Sequence, residues 1–189
     1  MANPIEFYFD FSSPYGYLAS TRIDDLASHY GRTVKWRPML LGAAFKESGQ
    51  KPLMDIPMKG DYSRHDIARF ARLLNLKLRM PAQFPFMAAN PSRAFYWLED
   101  RDAGLAKRFA KAVFRQAYTD GLDVTGVDFV CDLAQGMGVD REALKAGMTS
   151  PEGKERLQKR LTETINRVLT KTEGFGGVDA VHFKSFLVQ

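Results

Sequence analysis

The run Ile5-Glu6-Phe7-Tyr8-Phe9-Asp10-Phe11-Ser12-Ser13-Pro14-Tyr15-Gly16-Tyr17-Leu18 constrains this chain more than any other segment. It reads as a buried aromatic strand, a Ser-Ser-Pro corner and then an amphipathic helix. Pro14 has a fixed φ and no N–H, which suits the first position of a helix. Ser13 is then the natural N-cap, its hydroxyl facing the free amides of the first turn. The positive end of the helix dipole favours a nearby anion by roughly 0.3–1 kcal/mol, and a thiol held there ionises more readily. Capping alone accounts for a serine and a proline in this order. The aromatic strand leading into the corner is what raises Ser13 to a candidate site residue.

Beyond the corner, Leu18, Ile23, Leu26 and Tyr30 fall on one helical stripe that Gly31 is placed to end. Thr33-Val34-Lys35-Trp36-Arg37 alternates as a second strand, halted by Pro38. Strand, helix and strand in this order form a right-handed parallel unit. Leu40 to Met58 reads as a Gly- and Pro-rich loop with short turns. Helical stripes follow at Ile67, Phe70, Ala71 and Leu74, at Phe95 and Leu98 with Ser92 as the expected cap, and at Leu105, Phe109, Ala112 and Val113. Two shorter helices are expected over 127–134 and 140–146. A last one opens at Ser150-Pro151, carries Leu157, Leu161, Ile165 and Val168, and should end near Gly174. That second Ser-Pro start shows that the dipeptide by itself is no catalytic signature.

The 27 basic residues exceed the 22 acidic ones by only 5 and are spread along the chain, so nucleic-acid binding is not implied. No apolar stretch approaches the roughly 20 residues of a membrane span. Met1-Ala2-Asn3-Pro4 leads straight into a strand, and the one cysteine, Cys131, sits in an apolar helical pattern as a small core residue. Cytoplasmic residence is the expectation. His29, His65 and His182 show no metal-ligand spacing.

Phe9-Asp10-Phe11-Ser12-Ser13-Pro14-Tyr15-Gly16-Tyr17-Leu18 resembles the opening signature of the 2-hydroxychromene-2-carboxylate isomerase and kappa-class glutathione transferase group, in the DsbA-like branch of thioredoxin folds. Gln50-Lys51-Pro52 through Lys59-Gly60-Asp61-Tyr62-Ser63-Arg64-His65-Asp66-Ile67-Ala68-Arg69 is similar to its second signature, and Asn90-Pro91-Ser92-Arg93-Ala94 to a third. The resemblance runs from residue 5 to about 170. It implies an α/β thioredoxin-like fold with an inserted all-helical domain: residues 1–42 and 151–189 form the thioredoxin-like part and 43–150 the insertion. It also implies a homodimer with glutathione bound in a cleft. Ser13 stands where the first cysteine of a redox Cys-x-x-Cys would be and, by the resemblance, holds the glutathione thiolate. Lys59 would contact the glycine end of glutathione. Gln50 takes the place of a usual Asn, while Pro14, Asn90, Gly177 and Val178 complete the expected glutathione contacts. Tyr62, Asp66 and Arg69 lie at helical spacing and read as scaffold.

The activity implied is glutathione-dependent isomerisation of a hydroxychromene carboxylate or a related aromatic catabolite, with the thiolate as a borrowed nucleophile. A kappa-type transferase or peroxidase would use the same serine, and a non-catalytic binding protein on the same scaffold is the alternative from another class. A disulfide oxidoreductase is excluded, because no cysteine stands near the helix start. The chain departs from the pattern at its end. Glu173-Gly174-Phe175-Gly176-Gly177-Val178-Asp179 places Val178 where the family has a cis-proline, and a cis bond before a non-proline residue costs about 2.5–4 kcal/mol. The strand pair, acidic turn and closing helix expected after Asp179 are not visible. A truncated or altered reading frame and a divergent natural tail both account for that.

Overall fold

The computed structural model describes residues 3–173. Strand β1 (Ile5–Phe9) pairs in parallel with β2 (Val34–Pro38), in the register Ile5 to Val34 through Phe9 to Pro38. The ladder is closed by Ile5 N–H donating to Thr33 O at 2.8 Å and Met39 N–H donating to Phe9 O at 2.7 Å. Pro38 is itself the last strand residue, because an edge position needs no N–H there. The connection carries two short helices, α1 (Pro14–Ser20) and α2 (Ile23–His29), where the stripe predicted one. The break falls at Thr21, whose hydroxyl donates to Leu18 O at 2.8 Å and so competes with the helix ladder.

The segment after β2, read as a loop, forms helix α3 (Leu41–Ser48), which ends on Gly49 in the left-handed conformation at φ 67°. A single 3-10 turn at Leu53–Asp55 precedes α4 (Lys59–Leu73). Helices α5 (Ala89–Glu99), α6 (Ala103–Tyr118), α7 (Val127–Gln135), α8 (Arg141–Thr149) and α9 (Pro151–Glu173) complete the described chain. Ser92 does not cap α5, which starts at Ala89; Ser92 N–H instead donates to Ala88 O at 3.1 Å, four residues back. Short polar side chains cap α6 at Asp102 and α8 at Asp140. Ser150 caps α9, its Oγ accepting from Gly153 N–H at 3.1 Å.

The core is aromatic and continuous. Phe9 of β1 lies 5.3 Å from Trp36 of β2, 6.2 Å from Phe95 of α5 and 5.4 Å from Phe114 of α6, centroid to centroid. Phe11 and Tyr17 extend the same cluster to Phe114 and Tyr118. The sheet therefore packs directly on the helices of the insertion, and burying these rings, each worth roughly 1.5–3 kcal/mol or more, is the main force holding the two parts together. Helix α9 buries Leu157, Leu161 and Ile165, as its stripe requires, while Val168 lies outside the described side chains. The return of α9 beside the sheet is marked by Arg167 Nη1 on Glu6 Oε1 at 2.6 Å. Cys131 is fully buried in α7, as expected of a core residue.

Candidate active site

The corner between β1 and α1 is built from backbone and short polar side chains. Ser13 N–H donates to Asp10 O at 2.9 Å, and Ser12 N–H donates to Asp10 Oδ1 at 2.8 Å, closing a turn over Asp10–Ser13. Ser12 Oγ accepts from Phe86 N–H at 3.0 Å, which fastens the loop ahead of α5 to the same turn. Ser13 has extended backbone (φ −104°, ψ 112°), and its Oγ accepts from Gly16 N–H at 3.1 Å. Pro14 follows as the first helical residue and is buried. The N-cap reading of Ser13 and the N1 reading of Pro14 thus agree with the structure. Because Ser13 Oγ is an acceptor toward Gly16, its own proton is free to be given to an anion outside the helix. Gly16 fits because a Cβ there would press on Ser13 and on Asp10 O, so the first turn sits tightly on the corner.

Helix α4 stands beside this corner. Tyr15, one residue into α1 and 37 % exposed, donates its hydroxyl to Asp66 Oδ2 at 2.8 Å. Partial burial, and then the Asp66 carboxylate, push the Tyr15 phenol above its ordinary range. Asp66 Oδ1 is held by Arg69 Nη2 at 2.9 Å, and Arg69 also reaches the Tyr62 hydroxyl at 3.3 Å. These three residues hold one another, and Asp66 carries the group across to α1. Lys59, Ser63 and Asp66 lie at i, i+4 and i+7, so they share one face of α4. Ser63 Oγ donates to Lys59 O at 2.7 Å along that face. Lys59 is therefore on the side of α4 that meets α1, exposed and without an ion pair among the described residues.

Two backbone features fix where Lys59 stands. Met58 has φ 65° and ψ −43°, and Lys59 N–H donates to Pro57 O at 2.8 Å, which is a γ-turn of the strained, positive-φ hand. Gly60 lies against the carbonyl of Met54, with no room for a Cβ. The strain and the glycine together set α4 tightly on the preceding 3-10 turn.

The remaining predicted residues are distributed unevenly. Gln50 follows the Gly49 cap of α3 and is exposed, its amide without a hydrogen bond among the described residues. Asn90, at the start of α5, is committed elsewhere: Nδ2 donates to Thr125 O at 2.9 Å and Oδ1 accepts from Arg93 Nη1 at 3.2 Å. Gly177 and Val178 lie outside the described residues. Among the described residues no group of three or more His, Cys, Asp or Glu side chains could hold a metal ion, and no helix is long and apolar enough to cross a membrane.

Sequence reasoning passed over Asp10. It is 6 % exposed, and both carboxylate oxygens are used: Oδ1 by Ser12 N–H, and Oδ2 by Leu41 N–H at 2.7 Å, the first residue of α3. Burial raises its pKa from 3.8 to about 6, against the lowering effect of the two amides. A sequence signal existed, since an acid between Phe9 and Phe11 at the end of a buried strand needs partners.

A DSBA-like thioredoxin domain matches residues 4–170. The chain belongs to that family. Among curated proteins it is similar to a 2-hydroxychromene-2-carboxylate isomerase of Sphingobium xenophagum, 27% identical over 169 residues, which span 88% of this chain and 85% of the relative. It is also similar to glutathione S-transferase kappa 1 of Caenorhabditis elegans, 29% identical over 116 residues, 58% of this chain and 51% of that one. Among solved structures, a 2-hydroxychromene-2-carboxylate isomerase superposes with a TM-score of 0.77 at 26% identity, covering 88% of this chain and 81% of the other. This DSBA-like domain lacks the cysteine pair of a thiol oxidoreductase, and Ser13 occupies the corner instead.

Proposed function

We propose that this DSBA-like chain is a glutathione-dependent isomerase of a 2-hydroxychromene-2-carboxylate-type aromatic catabolite. The observation that carries this reading is Ser13 at the N-cap of α1, its hydroxyl proton uncommitted, in a chain similar over most of its length to such isomerases. The described residues supply groups of the kind glutathione needs. Ser13 offers a donor for the sulfur, Lys59 an unpaired ammonium for a carboxylate, and Gln50 an unpaired amide. Asn90 spends one amide hydrogen on Thr125 and one acceptor site on Arg93, which fixes its side chain and leaves its second amide hydrogen for a ligand.

Glutathione, when bound, supplies a thiolate that adds reversibly to the conjugated system, so that the former double bond can rotate before the thiol is eliminated. The work of the protein is to keep that sulfur anionic and oriented. Ser13 Oγ–H donates to it, and the amide end of α1 adds a favourable field. The partly exposed Tyr15 ring offers a flat apolar surface next to Ser13. Its phenol stays protonated at neutral pH, since its pKa is raised.

Support for a homodimer comes from the exposed apolar side chains along and just before α4, Met58 at 86%, Tyr62 at 62% and Leu73 at 75% exposure. Sedimentation equilibrium should return twice the monomer mass, and a monomer at micromolar concentration would remove this part of the reading.

The test is calorimetric titration with reduced glutathione near neutral pH, followed by turnover of a hydroxychromene carboxylate. Binding that weakens in Ser13→Ala and Lys59→Ala, together with glutathione-dependent isomerisation, supports the enzyme. The similarity to kappa 1 transferases makes glutathione conjugation of an electrophile the second assay. Activity there with none on the chromene would favour the kappa-type reading, and a folded protein that binds no glutathione would favour the non-catalytic scaffold.

A further inference from the structure

Asp10 occupies an unusual position for a charged residue. It is enclosed by Phe9, Phe11 and the aromatic core, yet it makes no ion pair among the described residues. Its partners are two backbone amides from distant segments, Ser12 N–H before α1 and Leu41 N–H at the start of α3, the latter 31 positions from Asp10. Its own carbonyl accepts from Ser13 N–H. A neutral side chain cannot reproduce this. An amide in its place has one oxygen to accept, and its NH2 group would face the second N–H donor to donor. The Leu40 preceding α3 has extended backbone and no side-chain cap, so Asp10 provides that helix with the N-terminal acceptor its own sequence lacks.

We propose that Asp10 is a positioning residue of the glutathione site: its carboxylate locks the Ser12–Ser13 turn to the start of α3, and so fixes the Ser13 hydroxyl relative to the segment that leads to Gln50. One oxygen holds Ser12, the neighbour of Ser13, and the other holds the start of α3. Ser12 extends the lock to a third segment, because its Oγ accepts from Phe86 N–H. Tyr118 of α6 is the titratable group set against Asp10; its buried hydroxyl has no hydrogen-bond partner among the described residues, and burial first, then the Asp10 charge, raise its pKa. Evolving a buried anion here is unfavourable for folding, and its return is a corner that does not move when the thiol ionises.

The inference rests on the glutathione reading, and the experiment separates the two. Reduced glutathione is titrated into wild type, Ser13→Ala, Asp10→Asn and Leu41→Pro, and the ultraviolet absorbance of the bound thiolate is followed against pH. Leu41→Pro removes the N–H given to Oδ2, along with the half-buried leucine side chain, at a first helical position that tolerates proline. Asp10→Asn is expected to weaken binding about tenfold and to raise the apparent pKa of the bound thiol toward that of Ser13→Ala. Leu41→Pro is expected to weaken binding less and leave the thiol pKa near wild type, because Oδ1 still holds the Ser13 turn. A general loss of packing would lower stability in both without moving the thiol pKa. Folded Asp10→Asn with wild-type affinity and thiol pKa overturns the proposal. Should Asp10→Asn not fold, unchanged affinity in Leu41→Pro overturns it. No binding by wild type overturns the glutathione reading and this inference with it.

Discussion

The buried carboxylate of Asp10 should leave a measurable mark on how stability depends on pH. Its pKa is 3.8 in the unfolded chain and about 6 in the fold, raised by burial. The folded state therefore holds the proton more tightly than the unfolded state does. Stability from this group is fully present below pH 3.8, declines as pH rises toward 6, and is gone above that value. The gap from 3.8 to about 6 is about 2.2, and at ~1.36 kcal/mol per pH unit it amounts to about 3 kcal/mol. Neutral pH is thus where Asp10 weakens the fold most. This is the opposite of an ion-paired acid such as Glu6, whose pKa is lowered chiefly by its hydrogen bond from Arg167 and whose stabilisation is lost as pH falls.

Because acids of both kinds titrate together, the whole-protein profile would not isolate Asp10. The informative quantity is the difference between wild type and Asp10→Asn, which cannot titrate. Leaving one amide without an acceptor costs the variant about 1–3 kcal/mol at every pH, so it shifts the difference curve without tilting it. Urea unfolding followed by far-ultraviolet circular dichroism at steps from pH 4 to pH 7.5 gives both curves. The advantage of wild type over the variant should shrink by about 3 kcal/mol across that range, with its steepest change between pH 4 and 6. A flat difference would refute the reasoning, since it would mean that Asp10 ionises in the fold as easily as in the unfolded chain.

Five further outcomes follow from particular contacts. Ser13→Ala should lower turnover by roughly 30- to 1000-fold, the about 2–4 kcal/mol expected of a preorganised donor, with stability reduced by only the ~1 kcal/mol of a lost cap; unchanged turnover removes Ser13 from the chemistry. Gly60→Ala should cost about 1–3 kcal/mol in urea unfolding, because its Cβ would collide with the Met54 backbone. Gly49→Ala, in open space at φ 67°, should cost only the ~1–2 kcal/mol of a left-handed residue. Tyr118→Phe should leave stability unchanged or raise it by about 1 kcal/mol, since the hydroxyl it removes is buried without a partner. Cys131, fully buried and with its thiol pKa raised by burial, should react with a disulfide reagent in native protein only at the rate of unfolding. Fast stoichiometric modification would contradict its placement in the core.

Much of the fold was legible because its signals are local. The aromatic alternation of β1, the Ser13-Pro14 and Ser150-Pro151 starts and the stripe of α9 each state their structure within a few residues. The parts that were misread depend on distant partners. Helix α3 has no capping side chain of its own, and Gly42 and Gly49 within a short span read as loop. Its acceptor comes from Asp10, which no local window contains. Ser92 looked like a cap because it is a serine near a helix start, but the chain is already helical by Ala89, and Ser92 is buried with its Oγ unpartnered. The division of residues 13–31 into two helices likewise turns on which carbonyl the Thr21 hydroxyl prefers.

The candidate site divides along the same line. Ser13 as a cap and Pro14 as a first helical residue were legible because capping is a local geometry; Lys59 was named by the resemblance alone, and its place on the face of α4 that also carries Asp66 comes from the fold. What periodicity could not show is how the corner and α4 are held together. That depends on Tyr15 reaching Asp66 across 51 residues and on Ser12 accepting from Phe86 across 74. Asp10 belongs with these long-range contacts, although its neighbours in sequence are the most recognisable residues in the chain. An acid flanked by core phenylalanines offsets its burial only if the fold brings it donors. Here both donors are backbone amides, which no side-chain pattern announces. The sequence between Phe9 and Ser13 therefore specifies the turn at the corner, and the N–H of Leu41 ties that turn to the start of α3.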